Sequence, residues 1–100
     1  MRMIILGVIA ASSLSTAALA AEGAVLKLKT ATTTEQFIQE GSAWRCKADI
    51  CISGEVKALP PVRVCRKLVA TLGPATALNY RGKDLDAAEM ADCNTAAKAG

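Results

Sequence analysis

The sequence contains no histidine, and only 3% of its residues are aromatic. Without histidine, catalysis would need a serine–lysine, carboxylate or tyrosine arrangement. The motifs G-x-S-x-G and S-x-x-K and a glycine-rich phosphate-binding loop are also absent. We therefore expect a protein that is not an enzyme and that uses no cofactor.

The sequence also lacks an apolar run long enough to span a bilayer. Its strongly apolar segment, Met3–Ala11, has about nine residues, whereas a membrane-spanning helix needs roughly 20. Arg2 precedes this segment, and Ala18-Leu19-Ala20 provides a small-x-small cleavage site, which is the layout of a secretory signal peptide. We predict a signal peptide at residues 1–20 and a single periplasmic domain at residues 21–100, with no membrane span after cleavage.

A large excess of either charge is missing as well. The chain has 12 Lys and Arg residues against 9 Asp and Glu residues, a formal net charge of +3 that falls to +2 without Arg2. This excess is too small to indicate a nucleic-acid partner. Large apolar side chains are few, and a domain of this size gains only marginal stability from its core, so crosslinks are expected.

The four cysteines, Cys46, Cys51, Cys65 and Cys93, all follow the predicted signal peptide. In an oxidising compartment an even number predicts disulfides, and four cysteines allow three connectivities. Cys46 and Cys51 flank a four-residue loop between short β-compatible runs, so they can face each other across a hairpin. Trp44 then lies on the same face as Cys46 and can cover the sulfur pair.

The other two cysteines lie on separate predicted helices. Pro61 suits the first turn of a helix that Gly73-Pro74 ends, and its apolar residues recur at helical spacing: Val62, Cys65, Leu68 or Val69, and Leu72. Cys93 lies on a second helix that a capping box of Asp86 and Glu89 begins. A Cys65–Cys93 bond would join the two apolar stripes. The spacing is not typical of a redox-active C-x-x-C motif or of a zinc site with two close cysteine pairs.

The remaining segments predict further strands. AVLKLKT alternates apolar residues with lysine, Phe37-Ile38 begins a possible short strand, and residues 74–80 form another strand before a turn at 81–83. The predicted fold class is α+β: a small antiparallel or mixed sheet that includes the disulfide-linked hairpin, with two helices packed on one face.

Three motifs follow one another: W-x-C-x4-C, then P-x-R-V-C-R before a helix ending in Gly-Pro, then C-N in the final helix. This array runs from about Trp44 to Ala97 and covers most of the predicted mature chain. In this array the chain resembles a family of small exported alphaproteobacterial proteins of unknown function. The resemblance implies export and paired cysteines, and it implies no activity.

Two groups of residues are candidates for binding. Arg63, Arg66 and Lys67 share one helical face, with Arg81 and Lys83 in a later turn, and they form either an anion-binding surface or a solvated face paired with groups such as Asp92. Trp44 is either a core residue or, if exposed, an anchor for a partner. Acidic residues at 84–92 surround a helix start, where they stabilise the helix dipole, so no metal or catalytic site is expected there.

These observations lead to two functional hypotheses. The first is a non-enzymatic periplasmic interaction module, held rigid by two disulfides, that presents Trp44 and the basic helix face to an unknown envelope protein. The second is a protein that binds anions or an anionic envelope component through Arg63, Arg66, Lys67, Arg81 and Lys83.

Overall fold

The computed structural model describes residues 22–97, which form a six-stranded antiparallel sheet and two helices. The strands are β1 (Ala24–Leu28), β2 (Gln36–Gln39), β3 (Ser42–Lys47), β4 (Ile50–Ser53), β5 (Ala75–Tyr80) and β6 (Lys83–Asp84), and the helices are α1 (Pro61–Leu72) and α2 (Ala87–Asn94). The sheet order is β2-β3-β4-β1-β5-β6. The predicted α+β class is confirmed, and of the two sheet types expected the sheet is antiparallel.

The predicted signal peptide, residues 1–20, lies outside the described residues. Within residues 22–97, no helix has the length and apolar character that crossing a membrane requires.

The first strand is central in the sheet although it comes first in the sequence. It is hydrogen-bonded to β4 on one side and to β5 on the other, both antiparallel. Its alternating sequence explains this position, because Ala24, Leu26 and Leu28 are buried on one face while Lys27 is exposed on the other. The strand therefore joins the disulfide-linked hairpin to the C-terminal half of the domain.

Two hairpins of the sheet turn through residues with positive φ. Glu40 and Gly41 connect β2 to β3 with φ of 54° and 78°, and Arg81 and Gly82 connect β5 to β6 with φ of 51° and 86°. Two such residues in a two-residue loop are characteristic of a type I′ turn, whose twist matches that of the flanking strands. The segment predicted as a turn at 81–83 thus also contains the start of a short edge strand.

Local signals place both ends of α1 and the start of α2. Pro61 occupies the first turn of α1, and the N–H of Gly73, at φ 106°, donates to the Val69 carbonyl to end it. In α2 the Asp86 side chain accepts from the Glu89 N–H, and the Glu89 side chain accepts from the Asp86 N–H, so the predicted capping box is confirmed.

The core lies between one face of the sheet and the two helices. Its fully buried side chains include Trp44, Leu26, Leu28, Leu68 and Leu78. On α1 the buried residues are Val64, Cys65, Leu68 and Val69, whereas Val62 and Leu72 are half-buried. The predicted stripe is therefore confirmed with one addition: Val64 is also buried, while Val62 and Leu72 pack against the border of the core. The opposite face of the sheet has no helix against it among the described residues.

Candidate functional site

The predicted hairpin disulfide joins β3 to β4. Cys46 and Cys51 are directly opposed in the strand register, with Cα atoms 3.9 Å apart and sulfurs bonded at 2.01 Å. The site is a non-hydrogen-bonded pair, since the Cys46 N–H donates away from β4, to the Glu35 carbonyl just before β2. Opposed Cα atoms are closest at such pairs, and this favours a short bridge between them.

Trp44 lies on the face of the sheet that the helices cover. Its side chain is 1% exposed, and its ring is stacked on Phe37 of β2 with centroids 6.1 Å apart. The two residues are direct cross-strand partners. Trp44 is therefore a core residue, and the hypothesis that its side chain is presented to a partner is wrong.

The second disulfide joins the two helices. Cys65 and Cys93 are both 0% exposed, with Cα atoms 5.5 Å apart, so the pairing predicted from the two apolar stripes is confirmed. All four cysteines of the chain are in disulfides. No thiol is thus available as a nucleophile or a metal ligand in this oxidised state.

The basic face of α1 is paired with carboxylates. Arg63 Nη2 and Lys67 Nζ lie 3.3 and 3.1 Å from the same oxygen, Glu40 Oε2, and Arg66 Nη1 lies 2.9 Å from Asp92 Oδ1. Of the two alternatives for this face, the one in which the cations are paired, with Asp92 as one partner, agrees with these contacts. Its three positive charges face two carboxylates, so one positive charge remains uncompensated.

Arg66 also holds the end of α2. Its Nη1 donates to the carbonyl oxygen of Asp92 at 3.1 Å and to Thr95 Oγ1 at 2.8 Å. A cation at a helix C-terminus stabilises carbonyl groups that have no partner within the helix. Arg66 therefore acts as a structural link between the helices, in addition to the disulfide.

Glu40 is the partner that the sequence did not indicate. It lies in the β2–β3 turn, 23 residues before Arg63 and 27 before Lys67. The hydrogen bond from Lys67, with the charges of Lys67, Arg63 and Lys57, holds the pKa of this carboxyl below its ordinary value of 4.5 against the opposing effect of desolvation. No local pattern reveals such a pair, because only the tertiary fold brings the turn to the helix.

The two later cations do not join this cluster of ion pairs. Arg81 Nη1 donates to the Val56 carbonyl at 2.7 Å, and Lys83 lies on β6 at the far edge of the sheet. Tyr80 beside them is buried, its hydroxyl donates to the Lys57 carbonyl at 2.6 Å, and burial raises its pKa. Arg81 and Tyr80 thus anchor the loop between β4 and α1.

The acidic residues near α2 have structural partners. Asp84 accepts from Asn79 Nδ2 at 2.9 Å, Asp86 and Glu89 form the capping box, and Asp92 pairs with Arg66. Within the part of the chain that the structure describes, no group of three or more His, Cys, Asp or Glu side chains is placed to hold a metal ion.

The face of the sheet opposite the helices carries a second set of side chains, which we call the open face. It consists of the residues that alternate with the core positions of β1 to β5: Val25, Lys27, Gln36, Ile38, Ala43, Arg45, Lys47, Ile50, Ile52, Ala77 and Asn79. Ile38 is 75% exposed and Ile52 is 38% exposed. These are the exposed large apolar side chains of the described residues.

A groove of about 1300 Å³ runs across the open face. Ala43, Ile50 and Ile52 lie along it together with Arg45, and the segment between β1 and β2 contributes Thr32 and Thr33. This segment lies beside the β3–β4 turn, because the Thr32 N–H donates to the Ala48 carbonyl at 3.0 Å. The groove therefore combines an apolar β surface with polar borders of both charges, Arg45 and Lys47 as well as Glu35 and Asp49.

The cations of the open face differ from those of α1 in their pairing. Lys27, Arg45 and Lys47 are exposed, and no carboxylate of residues 22–97 lies within 4.0 Å of their charged nitrogens. Each is next to an apolar residue across the sheet, since Arg45 is opposite Ile52, and both Lys47 and Lys27 are opposite Ile50. Unpaired positive charge beside exposed isoleucine distinguishes this surface from the helix face.

Fold and site together define a small two-disulfide α+β domain with one sheet face covered by helices and one open. The chain belongs to the Family of unknown function (DUF8200), whose family model matches residues 6–95. No curated protein and no solved structure matches the chain.

Proposed function

We propose that this protein is a non-enzymatic accessory module of the bacterial cell envelope, exported to the periplasm, that binds a protein partner through its open face. The observation that carries the proposal is the exposure of Ile52 beside Arg45, whose guanidinium has no carboxylate partner among the described residues. Interfaces typically combine an apolar centre with arginine, and exposed apolar patches bordered by polar residues mark interaction surfaces.

The open face replaces the surface expected from the sequence. Trp44 is in the core, and Arg63, Arg66 and Lys67 are engaged by Glu40 and Asp92. A partner that bound the helix face would have to compete with these contacts, whereas the open face offers its charges without such competition. The two disulfides support the proposal, because a crosslinked domain presents a surface at low entropic cost on binding.

The alternative function is binding of an anionic component of the envelope. For this function too, the open face is the better candidate surface. Lys27, Arg45 and Lys47 supply three cations without a carboxylate partner among the described residues, whereas each cation of the helix face has one. The groove beside Arg45 and Lys47 has an apolar floor, which a purely charge-driven ligand would not use. We therefore favour a protein partner that presents both apolar and acidic side chains.

Photocrosslinking in cells tests the proposal. A photoreactive residue at Ile52 is expected to capture a specific partner, while the same residue at Ala70, exposed on α1, serves as the matched control. Arg45→Glu should abolish the Ile52 adduct, and Arg63→Glu should leave it in place. Capture from Ala70 but not from Ile52 would refute the assignment of the open face.

Salt distinguishes the two candidate functions. Surface charge interactions are screened over about 8–10 Å at physiological ionic strength. Binding to a protein partner through the apolar floor should persist when salt is raised, with a slower association rate. Binding that vanishes with salt, and that tolerates Ile52→Thr, would instead support the anion-binding alternative.

A further inference from the structure

The two edges of the sheet differ in how they are protected. The β6 edge has only Lys83 and Asp84, and short charged strands discourage pairing with another chain. The β2 edge is Gln36-Phe37-Ile38-Gln39, with no charge and no proline, and β2 pairs with β3 alone. Natural sheets usually blunt an exposed edge, so an edge without these devices indicates a strand that is used for pairing.

The hydrogen-bonding pattern identifies the free backbone groups of β2. Cys46 donates from its N–H to the Glu35 carbonyl at 2.8 Å, which makes the odd-numbered residues of this segment the partners of β3. In an antiparallel ladder the alternate residues then direct their N–H and C=O outward. For β2 these are Gln36 and Ile38, and no other described strand lies beside them.

We propose that a second copy of this chain pairs with β2 in antiparallel orientation, about a two-fold axis at Phe37. In this register Gln36 of each copy is opposite Ile38 of the other, and the pairing forms about four backbone hydrogen bonds, two per pair. A shift of the axis by one residue would recruit Thr34, whose N–H already donates to Thr32 Oγ1, or Glu40, which lies in the turn at positive φ. The register at Phe37 uses β2 alone.

Side chains at this register are mutually compatible. Phe37 is half-buried at the edge and stacked on Trp44, so the two Phe37 rings would be directly opposed and extend an existing aromatic pair. Glu35 is opposite Gln39 of the other copy, and no like charges face each other within the paired segment. The same strand therefore serves both sides of the two-fold interface, as an isologous dimer requires.

The proposed dimer has a geometric consequence for the open face. Directly opposed residues of paired strands lie on the same side of a sheet, so the open faces of the two copies become continuous. All four helices then lie on the other side, and both sets of Lys27, Arg45 and Lys47 lie on one surface. Dimer formation would double the area offered to a partner, but it does not depend on the proposed partner.

Sedimentation velocity over micromolar to millimolar concentrations of the purified oxidised protein tests self-association, and isotope-filtered NMR on a mixture of labelled and unlabelled chains tests the register. We expect a concentration-dependent dimer with intermolecular contacts between the amide of Gln36 and that of Ile38. A protein that sediments as a monomer at every concentration would overturn the proposal, and so would a dimer whose intermolecular contacts lie outside β2.

Three variants separate backbone pairing from side-chain adhesion. Ile38→Pro removes an outward N–H that β3 does not use, and it should weaken the dimer by about tenfold or more while both disulfides form. Ile38→Thr keeps that donor and should retain the dimer, and Ile52→Thr alters the open face away from the edge and should do the same. A dimer unaffected by Ile38→Pro, or abolished equally by Ile52→Thr, contradicts pairing through β2.

Discussion

Cys65 on α1 is bonded to Cys93 on α2 across a sequence separation of 28 residues, and both side chains are completely buried. The bond lies where the two helices pack together on the sheet. The other disulfide, Cys46–Cys51, spans a separation of only 5 residues within one hairpin. The two bridges therefore constrain very different lengths of the unfolded chain.

Removal of each disulfide should destabilise the domain to a different extent. On the chain-entropy model the longer loop is worth about 3.6 kcal/mol and the shorter about 2.2 kcal/mol. We expect Cys65→Ala/Cys93→Ala to lower the free energy of unfolding more than Cys46→Ala/Cys51→Ala, since it also truncates two fully buried side chains, whereas Cys46 of the hairpin pair is only half-buried. Urea unfolding followed by fluorescence of Trp44, the only tryptophan, measures both. A larger loss in the hairpin variant would contradict this ranking.

Local signals explain which elements the sequence predicts well. Pro61 and Gly73 delimit α1, the capping box of Asp86 and Glu89 begins α2, and each signal acts within a few residues of the backbone it stabilises. The hairpin around Cys46 and Cys51 is equally local. The sequence therefore predicts the limits of α1, the start of α2 and the Cys46–Cys51 pairing.

Long-range contacts explain the remainder. Nothing near β1 indicates that it lies between β4 and β5, and nothing near Glu40 indicates its contact with Lys67. Alternation places Trp44 on the face of Cys46, but it does not say which face the helices cover. Burial and ion pairing are both set by tertiary packing. For this reason the sequence predicts a site on the helix face, whereas the structure favours the open face.

Gly23 is predicted to be intolerant of a side chain. A Cβ at this position would collide with the backbone carbonyl oxygen of Ser53 and lie 3.0 Å from that of Gly54. Gly23→Ala should therefore lower the free energy of unfolding by about 1–3 kcal/mol, the usual cost of forcing extra atoms into a packed site. Gly54→Ala is the matched control, because nothing lies within 4 Å of its Cβ, and its effect should stay within about 0.5 kcal/mol. Equal effects would refute the packing argument.

Ala48 is a site where a substitution should stabilise the protein. It lies in the β3–β4 turn at φ 59°, a left-handed conformation that costs an alanine roughly 1–2 kcal/mol and that asparagine tolerates better. Ala48→Asn should raise the urea midpoint by an amount equivalent to a few tenths to about 1 kcal/mol. Ala77→Asn, on an exposed strand position, should lower it, since asparagine is unfavourable in strands. Destabilisation by Ala48→Asn would show that the turn does not limit stability.

Glu40 should make the stability of the domain depend on pH in the acidic range. Because its folded-state pKa is lower than the ordinary value of 4.5, its contacts with Arg63 and Lys67 contribute fully above pH 4.5 and are lost as the pH falls through the folded-state pKa. Glu40→Gln keeps the shape of the side chain and leaves the backbone at the same positive φ, but it removes the charge. The variant should therefore be less stable than the wild type at pH 7 and equal to it in strong acid. Glu55→Gln, an exposed carboxylate without an ion pair in the described residues, is the control and should not reproduce this convergence. Urea titrations of the three proteins between neutral and acidic pH provide the comparison. If the gap between wild type and Glu40→Gln were the same at every pH, the ion pairs with α1 would not be its cause.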